Sequence, residues 1–137
     1  MVDKAILAFS GGLDTSIAIK WIEEKYDLSV VTVTVDVGQN DDYEFIEKRA
    51  YEIGSDKHYT IDAKIDFVDK YVNQAIKSNA MYQGKYPLAT ALARPLIASK
   101  LVEVAKKENP KLISHGCTGK GNDQARFDIS IKSLYPE

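Results

Sequence analysis

The sequence is poor in the residues that build disulfides and metal centres. Its 137 residues contain one cysteine, Cys117, and two histidines, His58 and His115. A single cysteine excludes a disulfide within the chain, and these residues are too few for a four-ligand zinc site. We therefore interpret Cys117 as a small filler, His115 as structural and His58 as an ordinary half-exposed residue, in a reduced protein.

Long apolar runs and an excess of one charge are missing as well. No segment approaches the roughly 18 apolar residues that a membrane-spanning helix needs, and the N-terminal residues lack the long apolar core of a signal peptide. Lys and Arg number 18 against 20 Asp and Glu, a net charge of −2. This balance argues against binding to nucleic acid through bulk positive charge. We therefore expect a cytoplasmic protein that binds neither membranes nor nucleic acid.

What is present is an alternation of strand-like and helix-like segments over a length that suits one domain. Apolar or Val- and Thr-rich runs predict strands at 5–9, 28–37, 58–61 and 112–115. Apolar residues at helical spacing predict helices at 15–25, 41–53, 65–76, 92–107 and about 122–134. The alternation predicts an α/β fold, a parallel twisted sheet with helices on both faces, that binds ligands at the carboxyl ends of its strands.

Three local signals refine the predicted helices. Asp14 or Ser10 is expected to cap the first helix, because short polar side chains satisfy free N–H groups there. Gly54 is expected to end the second helix. Pro95 must lie near the start of the helix at 92–107 or kink it, because proline lacks an N–H.

A glycine-rich loop, residues 10–16, follows the first strand and reads Ser-Gly-Gly-Leu-Asp-Thr-Ser. It is neither a Walker A loop nor a dinucleotide fingerprint. Its glycines permit close approach to the backbone, and its hydroxyls and the helix N-terminus suit an anion such as a phosphate. Asp14 fits such a site if Mg²⁺ bridges it to the phosphates, or it caps the helix. A plain capped turn is the alternative.

A second loop, residues 114–127, follows the fourth strand and reads Ser-His-Gly-Cys-Thr-Gly-Lys-Gly-Asn-Asp-Gln-Ala-Arg-Phe. A zwitterionic amino acid needs an anion for its ammonium group, which Asp123 offers. Its carboxylate needs cations or polar donors, which Thr118, Asn122 and Arg126 offer. Lys120 and Arg126 are the cations expected to offset phosphate or carboxylate charge. The alternative is a solvated loop that leads into a helix capped by Asn122.

The two loops and further segments resemble the argininosuccinate synthase family. The first loop has the Ser-Gly-Gly-x-Asp form of the N-type ATP pyrophosphatases, and its Leu-Asp-Thr-Ser continuation is the form of this family in particular. Residues 35–39 resemble the family's stretch after its second strand, and residues 86–98 resemble its central motif. The resemblance covers essentially the whole chain and implies the adenine nucleotide α-hydrolase-like fold of the N-type ATP pyrophosphatases.

The resemblance implies an ATP-dependent ligation in arginine biosynthesis. ATP adenylates the ureido oxygen of citrulline and releases pyrophosphate, and the α-amine of aspartate then displaces AMP to give argininosuccinate. Mg²⁺ accompanies the ATP, and Asp14 is its candidate ligand. The implied partners are these small substrates, and the full-length enzyme is expected to be a homotetramer.

The family's functional residues carry over onto positions of this chain that match its motifs. Contacts to ATP are expected from Ala8, Phe9, Ser10, Gly11, Gly12, Leu13, Asp14, Thr15, Ser16, Val35 and Gly116. Contacts to citrulline are expected from Tyr86, Asn122 and Arg126. Contacts to aspartate are expected from Thr118, Asn122 and Asp123. The candidates for catalytic roles are Asp14, Asn122 and Arg126.

Two departures from the family limit this carry-over. Many members have Ser where this chain has Ala91, so Thr90 or the backbone is expected to replace a contact to the citrulline carboxylate. Members are also about three times as long. Residues 1–137 are therefore expected to be an N-terminal nucleotide-binding domain that stops before the last strand of its sheet and is inactive in ligation by itself. The missing strand would leave an open sheet edge prone to self-association.

Other functions stay open at this stage. A different adenylating enzyme of the same broad fold would need the second loop to hold another acceptor, and the balanced charge disfavours tRNA as that acceptor. A non-catalytic nucleotide-binding module would not need so elaborate a second loop. A plain structural α/β domain would need neither loop.

Overall fold

A computed structural model describes residues 3–136, which form the predicted alternation of strands and helices. The strands are β1 (Lys4–Ala8), β2 (Ser29–Asp36), β3 (Lys57–Asp62) and β4 (Leu112–His115). The helices are α1 (Leu13–Tyr26), α2 (Tyr43–Ile53), α3 (Lys64–Phe67), α4 (Asn73–Lys77), α5 (Ala89–Glu108) and α6 (Asn122–Leu134). A π-helical turn (Val68–Val72) joins α3 to α4, so the helix predicted at 65–76 is this combined segment. Within residues 3–136, no helix is both long and apolar enough to cross a bilayer.

The four strands form one parallel sheet in the order β3-β2-β1-β4. The chain moves outward from β1 through β2 to β3, then returns through α3 to α5 and adds β4 on the other side of β1. The direction of the strand order therefore reverses between β1 and β4. At such a reversal the loops that follow the two strands diverge and leave a crevice at their carboxyl ends. The predicted parallel α/β fold is confirmed.

Helices cover both faces of the sheet, because side chains of each strand alternate between two apolar clusters. On one face, Ile6 of β1 packs in a cluster with Leu101 and Val104 of α5. On the other face, Leu7 packs in a cluster with Ile19 of α1. A strand buried on both faces reads as a continuous apolar run, which explains why β1 was recognisable in the sequence.

The ends of the helices agree only in part with the predictions. The N-cap of α1 is Gly12 and carries no side-chain cap, so the prediction that Asp14 or Ser10 caps this helix is wrong. Asp14 is the second residue of α1, inside its first turn, and it makes no capping hydrogen bond. Gly54 ends α2 with φ of 126°, as predicted. Pro95 is the seventh residue of α5, so the carbonyl of Ala91 lacks its usual i+4 donor.

His58 is buried, which corrects its interpretation as a half-exposed residue. Its Nδ1 lies 2.8 Å from Thr32 Oγ1, and its Nε2 lies 3.2 Å from Thr60 Oγ1. Burial lowers the pKa of His58, against an opposite effect of the Glu47 carboxylate. The short strand β3 contains few apolar residues, so its pattern could not indicate which side chains face the core.

Candidate functional site

A cleft of about 250 Å³ opens at the carboxyl ends of β1, β2 and β4, at the reversal in strand order. It is bounded by the two glycine-rich loops, by the end of β2 and by α5. Six of the residues predicted to contact ATP line it, namely Ala8, Phe9, Ser10, Thr15, Val35 and Gly116. The topology therefore brings together segments that are far apart in the sequence.

Hydroxyl groups and free N–H groups converge where the first loop enters α1. Ser10 Oγ and Thr15 Oγ1 lie 3.3 Å apart, and Thr15 Oγ1 donates to the Gly12 carbonyl at 3.2 Å. The first intrahelical bond is donated by the Ser16 N–H to Gly12, so the N–H groups of residues 13–15 have no acceptor within the helix. Such a terminus favours a bound anion.

The remaining predicted ATP contacts lie around this terminus or point elsewhere. Leu13 and Asp14 are exposed on the first turn of α1. Gly11 adopts φ of 76°, and a Cβ there would lie 3.0 Å from Ile46 Cγ1, so the turn requires glycine. The Ser16 side chain lines a groove between α1 and α2 instead of the cleft, and its Oγ accepts a hydrogen bond from Arg49 Nε at 3.3 Å.

The two loops touch at Gly116. A Cβ at this position would lie 2.7 Å from Thr15 Cγ2, which is closer than any ordinary contact. Only a residue without a side chain fits there while the first loop keeps its position. This contact joins the start of α1 to the end of β4, and both residues line the cleft.

A chain of hydrogen bonds shapes the second loop. The Cys117 N–H donates to His115 Nδ1 at 3.2 Å, so the ring carries its proton on Nε2 and donates it to Asp128 at 3.1 Å. Gln124 donates to the other Asp128 oxygen at 3.0 Å and accepts the Lys120 N–H at 2.6 Å. The hydrogen bond from His115 holds the pKa of Asp128 below its usual value, against the effect of burial. The segment between β4 and α6 is thus bonded to α6 at both His115 and Lys120.

A second pocket, of about 450 Å³, lies beside the cleft. Four residues predicted to contact citrulline or aspartate line it, namely Tyr86, Asn122, Asp123 and Arg126. Thr90 and Ala91 line it as well. Thr118, the remaining predicted aspartate contact, is exposed on the second loop and is not part of this lining.

Asp123 connects the pocket to the cleft through two arginines. Arg94 Nε donates to Asp123 Oδ2 at 3.0 Å, and Arg126 Nη1 donates to Oδ1 at 2.8 Å. Burial raises the pKa of Asp123, but the hydrogen bonds from these two arginines outweigh it, so the net pKa lies below the usual value. Asp123 is therefore ionised at neutral pH, and each of its oxygens is oriented by a different guanidinium.

Arg94 is a site residue that the sequence reasoning missed. Its side chain lines the cleft, whereas neither Lys120 nor Arg126, the cations expected to offset phosphate or carboxylate charge, is part of that lining. Its guanidinium carbon lies 6.0 Å from the ring centre of Phe127, another lining residue. The available signal was the single charge within the apolar run at residues 91–98.

The turn after β2 is held by buried charge and by amide contacts. Asp36 pairs with Lys64 Nζ at 2.6 Å and accepts the Gly38 N–H at 2.8 Å. Burial raises the pKa of Asp36, but these hydrogen bonds bring the net pKa below the usual value. Burial and the nearby Asp36 carboxylate raise the pKa of Tyr43 to about 12. These contacts fix the turn at the end of β2, beside the cleft.

A Mg²⁺ site at Asp14 fits only in combination with phosphate. In the part of the chain that the structure describes, no group of three or more His, Cys, Asp or Glu residues could hold a metal ion. Mg²⁺ is commonly held by one or two carboxylates together with substrate phosphates and water. The exposed carboxylate of Asp14 lies at the N-terminus of α1 and is compatible with that mode. By itself it could not form a complete metal site.

Comparison with known families and proteins agrees with this geometry. Residues 4–137 match a family described as the arginosuccinate synthase N-terminal HUP domain. The argininosuccinate synthase of Sulfurisphaera tokodaii is 62% identical over 134 residues, which are 98% of this chain and 34% of that protein. That of Dehalococcoides mccartyi strain 195 is 53% identical over 136 residues, 99% of this chain and 34% of that protein. The chain thus spans about a third of the length of these curated relatives.

Solved structures of low sequence identity share the fold. The NAD+ synthetase of Burkholderia pseudomallei superposes with a TM-score of 0.56 at 16% identity, over 99% of this chain and 67% of that one. The NH3-dependent NAD synthetase of Campylobacter jejuni gives a TM-score of 0.58 at 12% identity, over 96% and 68% of the two chains. At these identities the likeness concerns the arrangement of the sheet and its helices.

Proposed function

The chain belongs to the argininosuccinate synthase family, as its N-terminal HUP domain, and we propose that it binds ATP and supplies part of the site at which citrulline and aspartate are joined. The observation that carries this proposal is the pair of adjacent pockets at the reversal in strand order. The cleft is lined by groups that can bind phosphate, and the second pocket is lined by groups that can bind amino acids. The Arg94–Asp123 ion pair lies between them. The complete ligation is proposed for a protein of the relatives' full length.

The first proposed step is adenylation of citrulline. The ureido oxygen attacks the α-phosphorus of ATP, and the bond from that phosphorus to the bridging oxygen breaks, with pyrophosphate leaving. The protein's contribution to such a step is mainly positioning and neutralisation of charge. The N-terminus of α1 with Ser10 and Thr15 would hold the phosphates, and Arg94 would offset their charge. Mg²⁺, held with Asp14, would supply further positive charge.

The second proposed step joins aspartate to the activated citrulline. The neutral α-amine attacks the former ureido carbon, the carbon–oxygen bond to the adenylate breaks, AMP leaves, and the amine loses a proton. Arg126 and Tyr86 are proposed to hold citrulline. Asp123 is proposed to attract the α-ammonium group of the substrate aspartate before that group loses its proton. Asn122, at the start of α6 between the two sets, is proposed to contact both amino acids.

The nucleotide proposal is tested by calorimetric titration of the 137-residue chain with ATP, with and without Mg²⁺. We expect saturable binding that Mg²⁺ strengthens. Asp14→Asn should remove that gain, about tenfold in affinity, and leave Mg²⁺-free binding nearly unchanged. Asp27→Asn is the matched control, because Asp27 is exposed at the opposite end of α1 and its left-handed backbone accepts asparagine.

One result would contradict the role proposed for Asp14, and another would contradict ATP binding itself. If Asp14→Asn weakens binding equally with and without Mg²⁺, Asp14 has no part in holding the ion. If the chain is folded by circular dichroism and binds no ATP under either condition, the cleft is not a nucleotide site.

A further inference from the structure

The groove between α1 and α2 exposes large apolar side chains to solvent. It has a volume of about 550 Å³, and its lining includes Ile17 and Trp21 of α1 and Phe45 of α2. These three residues are 58%, 48% and 56% exposed, although both helices bury another side in the core. A contiguous exposed apolar surface with polar residues around it is typical of a site for another protein.

Two opposite charges in this groove have no ionic partner within residues 3–136. Arg49 of α2 donates from Nε to Ser16 Oγ at 3.3 Å and forms no ion pair, and Glu24 of α1 forms none either. The other charged residues of the groove are paired within the chain, namely Lys20 with Glu23 and Glu52 with Lys48. An apolar groove with one unpaired cation and one unpaired anion is complementary in charge to a second surface of the same composition.

The spacing of the two charges suits a symmetric pair of copies. The hydrogen bond to Ser16 puts Arg49 level with that residue of α1, whereas Glu24 lies two turns farther along the helix, which is about 12 Å. Trp21 lies between these two levels. When two copies pack their α1 helices antiparallel across a two-fold axis near Trp21, Arg49 of each copy lies level with the partner's Glu24, and the apolar side chains cover one another.

We propose that the α1–α2 groove is an interface at which a second copy of this chain binds, with Trp21 at its centre and two Arg49–Glu24 ion pairs around it. Each charge pair occurs twice, because the same surface of both copies takes part. Tryptophan and arginine are enriched among the residues that dominate the energy of such interfaces. Among residues 3–136, the groove shares no lining residue with the cleft or the second pocket, so this inference stands apart from the proposed function.

Sedimentation equilibrium of the 137-residue chain measures the association, and the emission of Trp21, its one tryptophan, reports burial of the groove. We expect a reversible dimer, with the emission moving to shorter wavelength as the concentration rises. Trp21→Ser should weaken dimerisation by about thirtyfold or more. Ile129→Ser is the matched control, because Ile129 is 69% exposed on α6, outside the groove, and it should leave the dimer unchanged.

Charge reversal tests the symmetry of the interface. Arg49→Glu and Glu24→Arg each place like charges opposite one another in a homodimer, so each variant alone should dimerise at least about tenfold more weakly than the wild type. A mixture of the two variants restores both ion pairs with their charges exchanged, so it should dimerise nearly as tightly as the wild type. Circular dichroism checks that each variant is folded, and Glu24→Arg carries the test if Arg49→Glu is not.

Three results would overturn the inference. The first is a wild type that stays monomeric at about 0.5 mM, which would leave the groove to a different polypeptide. The second is a dimer that Trp21→Ser and Glu24→Arg leave intact or that Ile129→Ser abolishes, since its contact would lie elsewhere, as at the edge strand β4. The third is a mixture of two folded charge variants that does not associate. ATP binding is tested separately by calorimetry, so the proposed function can hold or fail independently.

Discussion

Among single residues, His58 is a buried imidazole whose partners are hydroxyl groups. The threonines at its two ring nitrogens can donate or accept, so they satisfy the neutral ring without favouring the charged one. The Phe9 ring lies nearly perpendicular to the imidazole, with ring centroids 6.2 Å apart, which adds apolar surroundings. The folded state therefore resists protonation of His58.

This resistance predicts a loss of stability on mild acidification. Because the pKa of His58 is lowered in the folded state, its stabilising effect is present above its ordinary pKa of 6.5 and declines as pH falls below that value. The limiting slope is about 1.4 kcal/mol per pH unit. Urea unfolding at pH 7.5 and 5.5 should show the loss in wild type and in His115→Gln. His58→Gln, which keeps a donor and an acceptor, should be nearly insensitive; an undiminished loss in that variant would contradict the assignment.

Single residues are also where prediction from the sequence met its limits. Residue types and motif order sufficed to name Tyr86, Asn122, Asp123 and Arg126, which line one pocket. They did not reveal Arg94 or Gln39, which both line the cleft, although both lie inside the motifs that carried the resemblance. Whether they line the cleft depends on the direction in which each side chain points from a helix or a turn. The pattern of residues along the sequence does not determine that direction.

Between elements, the contact of Gly116 with Thr15 shows how two loops 100 residues apart define one cleft. It couples the end of β4 to the first turn of α1. The adjoining loop is tied to α6 through Asp128 and Gln124, so a shift at Gly116 cannot be absorbed locally.

We expect Gly116→Ala to separate the loops. The added methyl group would overlap Thr15 Cγ2, and overpacking of this kind costs about 1–3 kcal/mol. Mg·ATP binding measured by calorimetry should weaken about tenfold. Gly119→Ala is the matched control, because a Cβ there meets nothing within 4 Å. Equal affinities for the two variants would show that this contact does not shape the nucleotide site.

The order of the elements was predictable, whereas their ends were less so. Buried parallel strands and amphipathic helices leave periodic patterns that span many residues. A cap depends on one or two residues, and several candidates stood near the start of α1. Gly12 is the cap, with an extended φ of −75° and ψ of 170°, and the nearby hydroxyl groups of Ser10 and Thr15 are hydrogen-bonded to each other.

Over the whole molecule, Glu108 ties together elements that meet only in the complete fold. It ends α5, and its carboxylate contacts Lys4 of β1 and both Lys57 and Tyr59 of β3, each at 2.6 Å. The hydrogen bonds from Lys4, Lys57 and Tyr59 lower the pKa of Glu108 to about 2, despite burial. The edge strand β3 is thereby anchored to a helix on the face of the sheet.

Glu108→Gln should destabilise the whole chain. The lowered pKa means that the carboxylate stabilises the fold fully above its ordinary pKa of 4.5, and that this effect is lost as pH falls toward 2. We expect a loss of about 2 kcal/mol in the free energy of unfolding at pH 7. The difference from wild type should shrink below pH 4.5. Glu52→Gln, at an exposed ion pair with Lys48, should change stability by less than about 0.5 kcal/mol. A pH-independent deficit in Glu108→Gln would indicate lost packing instead of lost charge.

The strand order also has a kinetic consequence. Ile6 of β1 pairs with Ile113 of β4, so a central strand near one end of the described chain pairs with an edge strand near the other end. Closing so long a loop is slow and entropically costly, because the chain loses conformational entropy before the contacts between the strands form and stabilise it. Gly116, Cys117 and Phe127 of the cleft wall come from the segment that follows β4. A ligand of the cleft therefore meets a complete binding surface only once β1 and β4 are paired, and we expect it to slow the separation of β4 from β1.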